Sequence, residues 1–262
     1  MSKVLVIGDS CVDIFEYGNC LRICPEAPVP ILTPTKKNEN YGMSMNVYAN
    51  LIGLGVECDI ITNEKKPIKS RFIDETSNQM ILRIDKDDII QSISWENLNK
   101  INYSKYDAVV ISDYNKGFLN TEHIKLISQL HKLVFIDTKK KIEDWISNIK
   151  FIKINEKEFK ESQNYLTIQY KHNVITTMGK NGAKLLFNNT DGEHIEKHFP
   201  IKYEHDVRDL TGAGDTFLSG LVAKYLTTNN INESIEFANQ CASWAVTQKG
   251  LAVVSIDKIR KN

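Results

Sequence analysis

The sequence lacks a surplus of charge of either sign, and it lacks any long hydrophobic run. Lysine and arginine together number 33, and aspartate and glutamate together also number 33. Nucleic-acid-binding proteins usually carry a basic surplus, so this balance predicts a protein without a nucleic-acid partner. Every apolar run falls well short of the roughly 18 residues that a membrane helix needs, which predicts no membrane partner.

Cysteine is scarce and irregularly placed. The cysteines are odd in number and scattered, at Cys11, Cys20, Cys24, Cys58 and Cys241. This arrangement argues against a disulfide framework and predicts a reducing, cytoplasmic location. The apolar stretch KVLVIG near the start is too short for the core of a signal peptide, which agrees with that location. Cys20 and Cys24 lack the second ligand pair of a zinc site, so we interpret them as ordinary thiols.

Two common nucleotide-binding motifs are also missing. The first apolar stretch leads into GDSCVD, residues 8–13, rather than into the G-x-G-x-x-G of dinucleotide-binding folds. The segment MGKNG, residues 178–182, contains a Gly-Lys pair without the Ser or Thr and the upstream glycine of a phosphate-binding P-loop. The remaining glycine-rich segment, DLTGAGDTFLSGL at residues 209–221, therefore needs an explanation of its own.

What the chain does contain is an alternation of strand-like and helix-like stretches. The strand-like stretches are KVLVIG, CDIIT, DAVVIS, LVFIDT, FIKIN, NVITTMG and AKLLF. Helical patterns lie between several of them; SMNVYANLIGLG is expected to stop at Gly55, and NTEHIKLISQLHK to start at Asn120 or Thr121. Such alternation predicts parallel strands in a layered α/β fold. With 42% hydrophobic residues and no linker or repeat, we predict one domain over residues 1–262.

Two β-rich segments interrupt this alternation. They contain PVPILTP in the first case, and KSRFID followed by NQMILRID in the second. Neither has an accompanying helical pattern, so they do not extend the series of parallel strands. We therefore predict that the segments near residues 14–35 and 68–84 form a small β flap beside the main sheet.

The segment at residues 209–221 joins a glycine loop to the start of a helix. Apolar residues follow at helical spacing over residues 217–226, so Asp215 belongs to the first helical turn. The amides of Gly212, Ala213 and Gly214 would then lie at a helix N-terminus, which attracts anions. From this local pattern alone, Asp215 either caps the helix or takes a proton from a hydroxyl that attacks a bound phosphoryl group.

The same segment resembles the C-terminal motif of the ribokinase family, the PfkB-type carbohydrate kinases. The resemblance runs along most of the chain. VLVIGDSCVDIF is similar to the opening strand of the family, and YGMSMNVYANLIGLG to the segment in which a Gly-Gly pair precedes an asparagine. INEKE is similar to its Asn-x-x-Glu motif, and ITTMGKNGA to the turn beside the nucleotide. LRICPEAPVPIL and SDYNKGFL are similar to one branch, the kinase domain of bacterial D-glycero-β-D-manno-heptose 7-phosphate kinases.

This resemblance implies a ribokinase-like three-layer α/β/α fold with a reduced β lid. It also implies ATP-dependent phosphorylation of a sugar phosphate, with heptose 7-phosphate and its anomeric hydroxyl as the nearest match. Asp215 would be the catalytic base, and the amides of Gly212, Ala213 and Gly214 would form an anion hole. A homodimer through the lid and a separate nucleotidyltransferase, a domain that often follows the kinase domain in bifunctional members, are the expected partners.

Further roles follow from the positions that match the family motifs. The sugar phosphate would contact Asp9, Asp13, Arg22, Gly42, Asn46 and Lys116, with Arg22 or Lys116 meeting the phosphate that the sugar already carries. ATP would contact Asn155, Thr177, Gly179, Gly182 and Asn239. Asn155 and Glu158 would hold Mg²⁺ through its water molecules.

Three departures from the family pattern keep alternatives open. Met43 replaces the second glycine of the Gly-Gly pair that precedes Asn46, and Thr138 replaces the proline of the Asp-Pro-Lys usual in the heptose kinase branch. The chain is also short between Thr62 and Lys69, which implies a trimmed lid. The protein could therefore be a kinase for another sugar or a nucleoside, or a catalytically silent sugar-phosphate-binding protein on the same fold.

Overall fold

The computed structural model describes residues 2–168, 173–188, 191–202 and 206–260. The strands are β1 (Lys3–Gly8), β2 (Ser10–Ile23), β3 (Pro30–Met43), β4 (Glu57–Thr62), β5 (Ile68–Asp74), β6 (Gln79–Lys86), β7 (Ala108–Asp113), β8 (Val134–Thr138), β9 (Phe151–Asn155), β10 (Asn173–Thr177), β11 (Ala183–Asn188) and β12 (His194–Phe199). The helices are α1 (Ser44–Gly53), α2 (Trp95–Asn99), α3 (Thr121–Leu130), α4 (Glu156–Ile168), α5 (Ala213–Thr228), α6 (Ile231–Ala245) and α7 (Ile256–Arg260).

The main sheet has eight strands in the order β12-β11-β10-β9-β8-β7-β1-β4. The strands from β4 to β10 in this order pair in parallel, whereas β11 and β12 pair antiparallel at one edge. Each of the seven predicted strand stretches forms a strand of this sheet. The parallel pairing is confirmed for six of them and is wrong for AKLLF, which is the antiparallel strand β11. Strand β12 was not predicted, because HIEKHF is mostly exposed and carries few apolar residues.

Helices cover both faces of the main sheet, because the buried strands alternate their side chains between two cores. In β1, Val4 and Val6 join a core with residues of α1, α5 and α6. Leu5 and Ile7 point the other way, into a core shared with α3 and α4. The layered α/β/α arrangement predicted from the sequence is therefore confirmed. Among the described residues, no helix is both long enough and apolar enough to span a membrane.

The predicted helix boundaries are also confirmed. The side chain of Asn120 accepts a hydrogen bond from the His123 amide at 2.8 Å, so Asn120 is the N-cap of α3 and Thr121 its first helical residue. Helix α1 ends just before Gly55, whose φ of +81° is a conformation that glycine adopts readily. All five cysteines are free thiols.

A second, smaller sheet has the strand order β3-β2-β5-β6. Strand β2 pairs antiparallel with β3 and parallel with β5, and β6 pairs antiparallel with β5. The first segment predicted as a flap, residues 14–35, covers most of β2 and the start of β3, and the second, residues 68–84, covers β5 and most of β6, so both lie in this one sheet. Every residue of the edge strand β6 is exposed.

Candidate active site

The predicted catalytic residues lie at the carboxyl edge of the main sheet. Strands β1, β7, β8 and β9 run in parallel and end at Gly8, Asp113, Thr138 and Asn155, so their ends share that edge. Open α/β sheets bind their ligands at this edge. Helix α5 begins there too, since Asp215 in its first turn contacts residues that follow β3 and β7.

Asp215 is buried, with 2% of its surface exposed. Its Oδ2 accepts a hydrogen bond from Asn46 Nδ2 at 2.9 Å, and its Oδ1 accepts one from the Tyr114 hydroxyl at 2.7 Å. Burial raises the pKa of Asp215 to about 6, although both hydrogen bonds lower it in part. The carboxylate is therefore held by two side chains from other elements, and its pKa suits proton transfer near neutral pH.

The two glycines of the loop lie close to neighbouring side chains. Gly212 is the N-cap of α5 and has a φ of +79°. A Cβ atom there would lie 2.7 Å from Asn46 Nδ2, and a Cβ atom at Gly214 would lie 2.9 Å from Lys153 Nζ. The ammonium of Lys153 is thus a neighbour of the helix N-terminus, where its charge adds to the attraction for anions. The Ala213 amide donates to Leu210 O at 3.3 Å.

Lys153 belongs to a network of buried charges. Its Nζ donates to Asp137 Oδ2 at 2.5 Å, and both side chains are buried. Lys139 Nζ lies 3.8 Å from Asp137 Oδ1 and donates to Glu158 Oε1 at 2.5 Å. Burial lowers the pKa of Lys139, but the carboxylates of Asp137 and Glu158 outweigh it and raise the pKa overall. Lys139 therefore carries a positive charge beside Asp137 and Glu158.

The residues predicted to hold Mg²⁺ are in contact with each other. Glu158 Oε1 and Oε2 accept from Nδ2 and the amide of Asn155 at 2.7 and 2.8 Å, and Asn155 Oδ1 accepts from the Glu158 amide at 2.9 Å. Their oxygens therefore already have protein donors, which fits contact with the water shell of the ion better than direct coordination. In the described chain, Asp137 Oδ1 is a buried carboxylate oxygen without a hydrogen bond, so it could accept from such a water.

Asp9 holds the loop that carries Tyr114. Its Oδ2 accepts from the amides of Tyr114 at 2.7 Å and Lys116 at 3.2 Å, and its Oδ1 accepts from the amide of Phe118 at 3.1 Å. Three backbone donors thus engage this buried carboxylate. The predicted contact between Asp9 and the sugar stays a prediction.

Asp13 lies in β2 where the smaller sheet meets the main one, and its side chain is buried. The Arg71 guanidinium donates to its Oδ1 in a short ion pair. Gly42 packs so closely against the Asp13 carboxylate that a side chain there would collide with it. The adjacent Met43 is buried and has φ 60° and ψ −130°, a backbone conformation that favours glycine. The glycine expected from the family pattern would therefore suit this position.

The two cations predicted to meet the phosphate of the sugar occupy different surroundings. Arg22 is exposed near the far end of β2, opposite Ile31 of β3. Lys116 lies in the loop that Asp9 holds, and its Nζ forms a short ion pair with Asp88. Their predicted role stays a prediction, and Lys116 would have to leave Asp88 to take it.

Three of the residues predicted to bind the nucleotide share one open cleft. Asn155, Thr177 and Gly179 line a volume of about 650 Å³, together with charged residues of α4. This volume lies within the range of roughly 300–1,000 Å³ that is typical of cofactor sites. Gly182 closes the turn after Gly179 by donating to its carbonyl at 3.0 Å. Asn239 is buried in α6 and donates to Phe199 O at 2.9 Å, so it links that helix to β12.

Sequence reasoning missed three residues of this site. Tyr114 lies within SDYNKGFL, a segment that we used only for its resemblance to one branch of the family. A tyrosine among the loop residues after a predicted strand could have indicated a site residue. Lys153 is a charge inside the apolar strand FIKIN, and a buried charge requires a partner. Arg71 carries no comparable signal, because half-buried arginines in an outer sheet are common.

Comparison with known proteins agrees with this geometry. The sequence profile described as pfkB family carbohydrate kinase matches residues 40–258. The chain belongs to this family. It therefore contains a carbohydrate-kinase domain, and the membership predicted from its motifs is confirmed.

The curated relatives of this pfkB family chain include proteins named bifunctional protein HldE. The one from Helicobacter pylori strain J99 is 29% identical over 99% of this chain, and the one from Aliarcobacter butzleri strain RM4018 is 30% identical over 98%. The chain spans 66% and 63% of the lengths of these two relatives.

Solved structures confirm the ribokinase-like fold. The ribokinase of Thermotoga maritima superposes with a TM-score of 0.76 at 18% identity, covering 100% of this chain and 99% of its own. Phosphofructokinase-2 of Escherichia coli gives 0.74 at 15% identity, covering 100% and 98%. A ribokinase of Arabidopsis thaliana, solved in complex with ribose and ATP, gives 0.72 at 16% identity, covering 100% and 98%.

Proposed function

We propose that this protein is an ATP-dependent kinase that phosphorylates a hydroxyl of a sugar phosphate. D-glycero-D-manno-heptose 7-phosphate, attacked through its anomeric hydroxyl, is the favoured substrate. The observation that carries the proposal is Asp215, a buried carboxylate with a pKa of about 6, held beside the glycine loop by Asn46 and Tyr114. Family membership supports the kinase chemistry, and LRICPEAPVPIL and SDYNKGFL support the choice of sugar.

In the proposed reaction, Asp215 accepts the proton of the sugar hydroxyl as its oxygen attacks the γ-phosphorus of ATP. The new oxygen–phosphorus bond forms while the bond to the β-phosphate oxygen breaks, and ADP leaves with that electron pair. Charge on the transferring group is stabilised by the helix N-terminus at Gly212 to Gly214 and by the nearby ammonium of Lys153. Bound Mg²⁺ would neutralise phosphate charge, and its water shell would contact Asn155, Glu158 and Asp137.

A second candidate is a kinase for another sugar or a nucleoside, and Met43 is the observation that favours it. Its buried side chain stands where the family has a glycine, so the acceptor pocket differs in shape from the family pattern. A catalytically silent sugar-phosphate-binding protein is a weaker alternative. A buried carboxylate with a raised pKa beside an anion-binding loop is costly to maintain and serves no purpose in simple binding.

The proposal includes a cytoplasmic protein that forms a homodimer through the smaller sheet, which acts as a lid on the sugar site. The exposed edge strand β6 supports the dimer, since such edges readily pair with another chain. A nucleotidyltransferase activity is proposed to act next. The relatives named bifunctional, of which this chain matches 66% or less in length, support a second activity in the same pathway.

The test is an activity panel. The protein is incubated with ATP and Mg²⁺ and with heptose 7-phosphate, fructose 6-phosphate, ribose or adenosine, while ADP release is followed and products are identified by phosphorus NMR. Heptose 7-phosphate should give the highest kcat/KM and a product with a new anomeric phosphate. Turnover of only the unphosphorylated acceptors would favour the second candidate, and no turnover with any acceptor would favour the silent protein.

A further inference from the structure

A second, smaller cavity lies between the lid sheet and the glycine loop. It has a volume of about 150 Å³. Its walls come from β2 and β5 of the lid sheet on one side, and from residues just before the glycine loop and just after α6 on the other. Pockets for whole ligands usually enclose roughly 300–1,000 Å³, so this cavity suits one group of a larger molecule.

The cavity carries an excess of positive charge. Arg71, Arg208 and Lys249 line it, and Asp209 is the one carboxylate among the lining residues. The oxygens of Asp209 accept from the Thr211 amide at 2.8 Å and from the Gly250 amide at 3.0 Å, so two backbone groups already engage it. The chain as a whole has no net charge, which makes three cations around one small cavity a local concentration.

The cavity borders the candidate sugar site in two places. The guanidinium of Arg71 bonds to Asp13, the residue matched to the acidic sugar ligand of the family, and it lies 5.0 Å from the ring centroid of Phe15. On the other side, Thr211 directly precedes Gly212 of the glycine loop. A ligand whose hydroxyl lies at Asp215 could therefore extend along Asp13 into this cavity.

We propose that the cavity formed by Arg71, Arg208 and Lys249 binds the phosphate group that the sugar substrate already carries. This inference rests on the proposed function and adds the recognition site for the substrate phosphate. Guanidinium and ammonium groups form charge-assisted hydrogen bonds with phosphate oxygens, and an arginine bonded to a carboxylate keeps further N–H donors. The proposal assigns the phosphate to this cavity rather than to Arg22 or Lys116, because neither is among the residues that line it: Arg22 lies near the far end of β2, and Lys116 pairs with Asp88.

The test compares two double variants with the wild-type protein. Arg208→Gln with Lys249→Gln removes two exposed cations of the cavity, whereas Lys100→Gln with Lys132→Gln removes two exposed cations elsewhere. Binding of heptose 7-phosphate, free heptose, inorganic phosphate and ATP is measured by calorimetry. The cavity variant should bind heptose 7-phosphate at least roughly tenfold more weakly and lose competition by inorganic phosphate, with affinity for free heptose and ATP unchanged. The control variant should behave as the wild type.

Three results would overturn the assignment. The cavity variant could bind heptose 7-phosphate as tightly as the wild type, it could lose ATP instead, or the wild type could bind free heptose and heptose 7-phosphate equally well. A loss of heptose 7-phosphate affinity in Lys116→Ala that the cavity variant does not share would return the role to Lys116. These binding results do not depend on turnover, so they are separate from a failure of the proposed kinase activity, which the wild-type activity panel reports.

Discussion

The hydroxyl of Tyr114 lies 2.7 Å from Oδ1 of Asp215. Burial raises the pKa of Tyr114 well above its ordinary value, and the negative charge of Asp215 adds to this, so the phenol keeps its proton and acts as a donor. The ammoniums of Lys69 and Lys139 lie 5.7 and 5.5 Å from the centroid of its ring. Tyr114 therefore connects the candidate base to a cationic environment.

Replacing Tyr114 by phenylalanine should shift the pH dependence of the reaction. The hydrogen bond from Tyr114 lowers the pKa of Asp215, so its loss should raise that pKa above about 6. The acidic limb of the profile of kcat/KM against pH should move to higher pH, with activity largely recovered on the alkaline side. The matched control is Tyr106→Phe. The Tyr106 hydroxyl also donates to a carboxylate, that of Asp59 at 2.8 Å, but this pair does not belong to the candidate site. A uniform loss at every pH would show that Tyr114 does not tune the base.

Asp215→Asn should abolish most turnover without unfolding the protein. Asparagine cannot accept the proton, so kcat should fall by about 10²- to 10⁴-fold while ATP and sugar still bind. If Asp215 served only to cap α5, turnover would persist and stability would fall by up to about 1 kcal/mol. Turnover within a few-fold of the wild type would reject its assignment as base.

The same variant makes a prediction about stability and pH. The pKa of Asp215 is about 6 in the folded protein and about 4 in an unfolded chain. Its contribution to the free energy of unfolding is therefore fully present below pH ~4 and is lost as the pH rises through ~6. Asparagine does not titrate, so the Asp215→Asn variant does not lose this contribution to stability as the pH rises. The melting temperature of the variant relative to the wild type should therefore rise between pH 4.5 and pH 7.5, as calorimetry at both pH values can check.

Gly212→Ala should damage catalysis through Asn46. A Cβ atom at Gly212 would lie 2.5 Å from Leu251 Cδ2 and 2.7 Å from Asn46 Nδ2, so the amide that holds Asp215 must move. Gly55→Ala is the matched control, since φ is +81° there and +79° at Gly212, but nothing lies within 4 Å of its added Cβ. Both variants should lose about 1 kcal/mol from backbone strain, and only Gly212→Ala should lose tenfold or more in kcat. Equal activity of the two would exclude a role for close packing at the loop.

Leu82→Asp should separate the proposed dimer. Leu82 is 52% exposed on the edge strand β6, and Met80 on the same strand is also 52% exposed. A charge there opposes pairing of two lid sheets, so light scattering should report monomers where the wild type forms dimers. Leu130→Asp, at the end of α3 with 47% exposure, should leave the dimer intact. A monomeric wild-type protein at working concentration would reject the dimer itself.

Most of the main sheet was predictable because parallel strands buried on both faces appear in the sequence as continuous apolar runs. FIKIN, for example, is strand β9 from its first residue to its last. Strand β12 was not predicted because it is held to β11 by backbone hydrogen bonds, which do not depend on its mostly exposed side chains. The lid segments were recognised as β-rich, but the parallel pairing of β2 with β5, which joins the two segments, depends on contacts over long separations in sequence.

The candidate site was predictable where a motif places its members on one element or at one sheet edge. Asp215 and its glycines share one helix start, and Asn155 directly precedes α4, whose first turn contains Glu158. Asn46 was also predicted, but its bond to Asp215 joins residues 169 positions apart in sequence. The contacts of Tyr114, Lys153 and Arg71 also join residues on different elements, and patterns within a single sequence do not encode such contacts.

Asp9 accepts hydrogen bonds from three backbone amides, so a substitution of Asp9 can lower activity without any contact between Asp9 and the substrate. Asp9 fixes the peptide groups around Tyr114, and Tyr114 in turn touches the base. A substitution of Asp9 removes the hydrogen bond that holds the Tyr114 amide. The Tyr114 hydroxyl can then move relative to Asp215, which changes the reactivity of Asp215. A mutational survey that scored only lost activity would count Asp9 among the sugar ligands, even if it never meets the sugar. Asp9 would then be a positioning residue. Its substitution would displace the pH optimum of the reaction and leave the affinity for sugar unchanged.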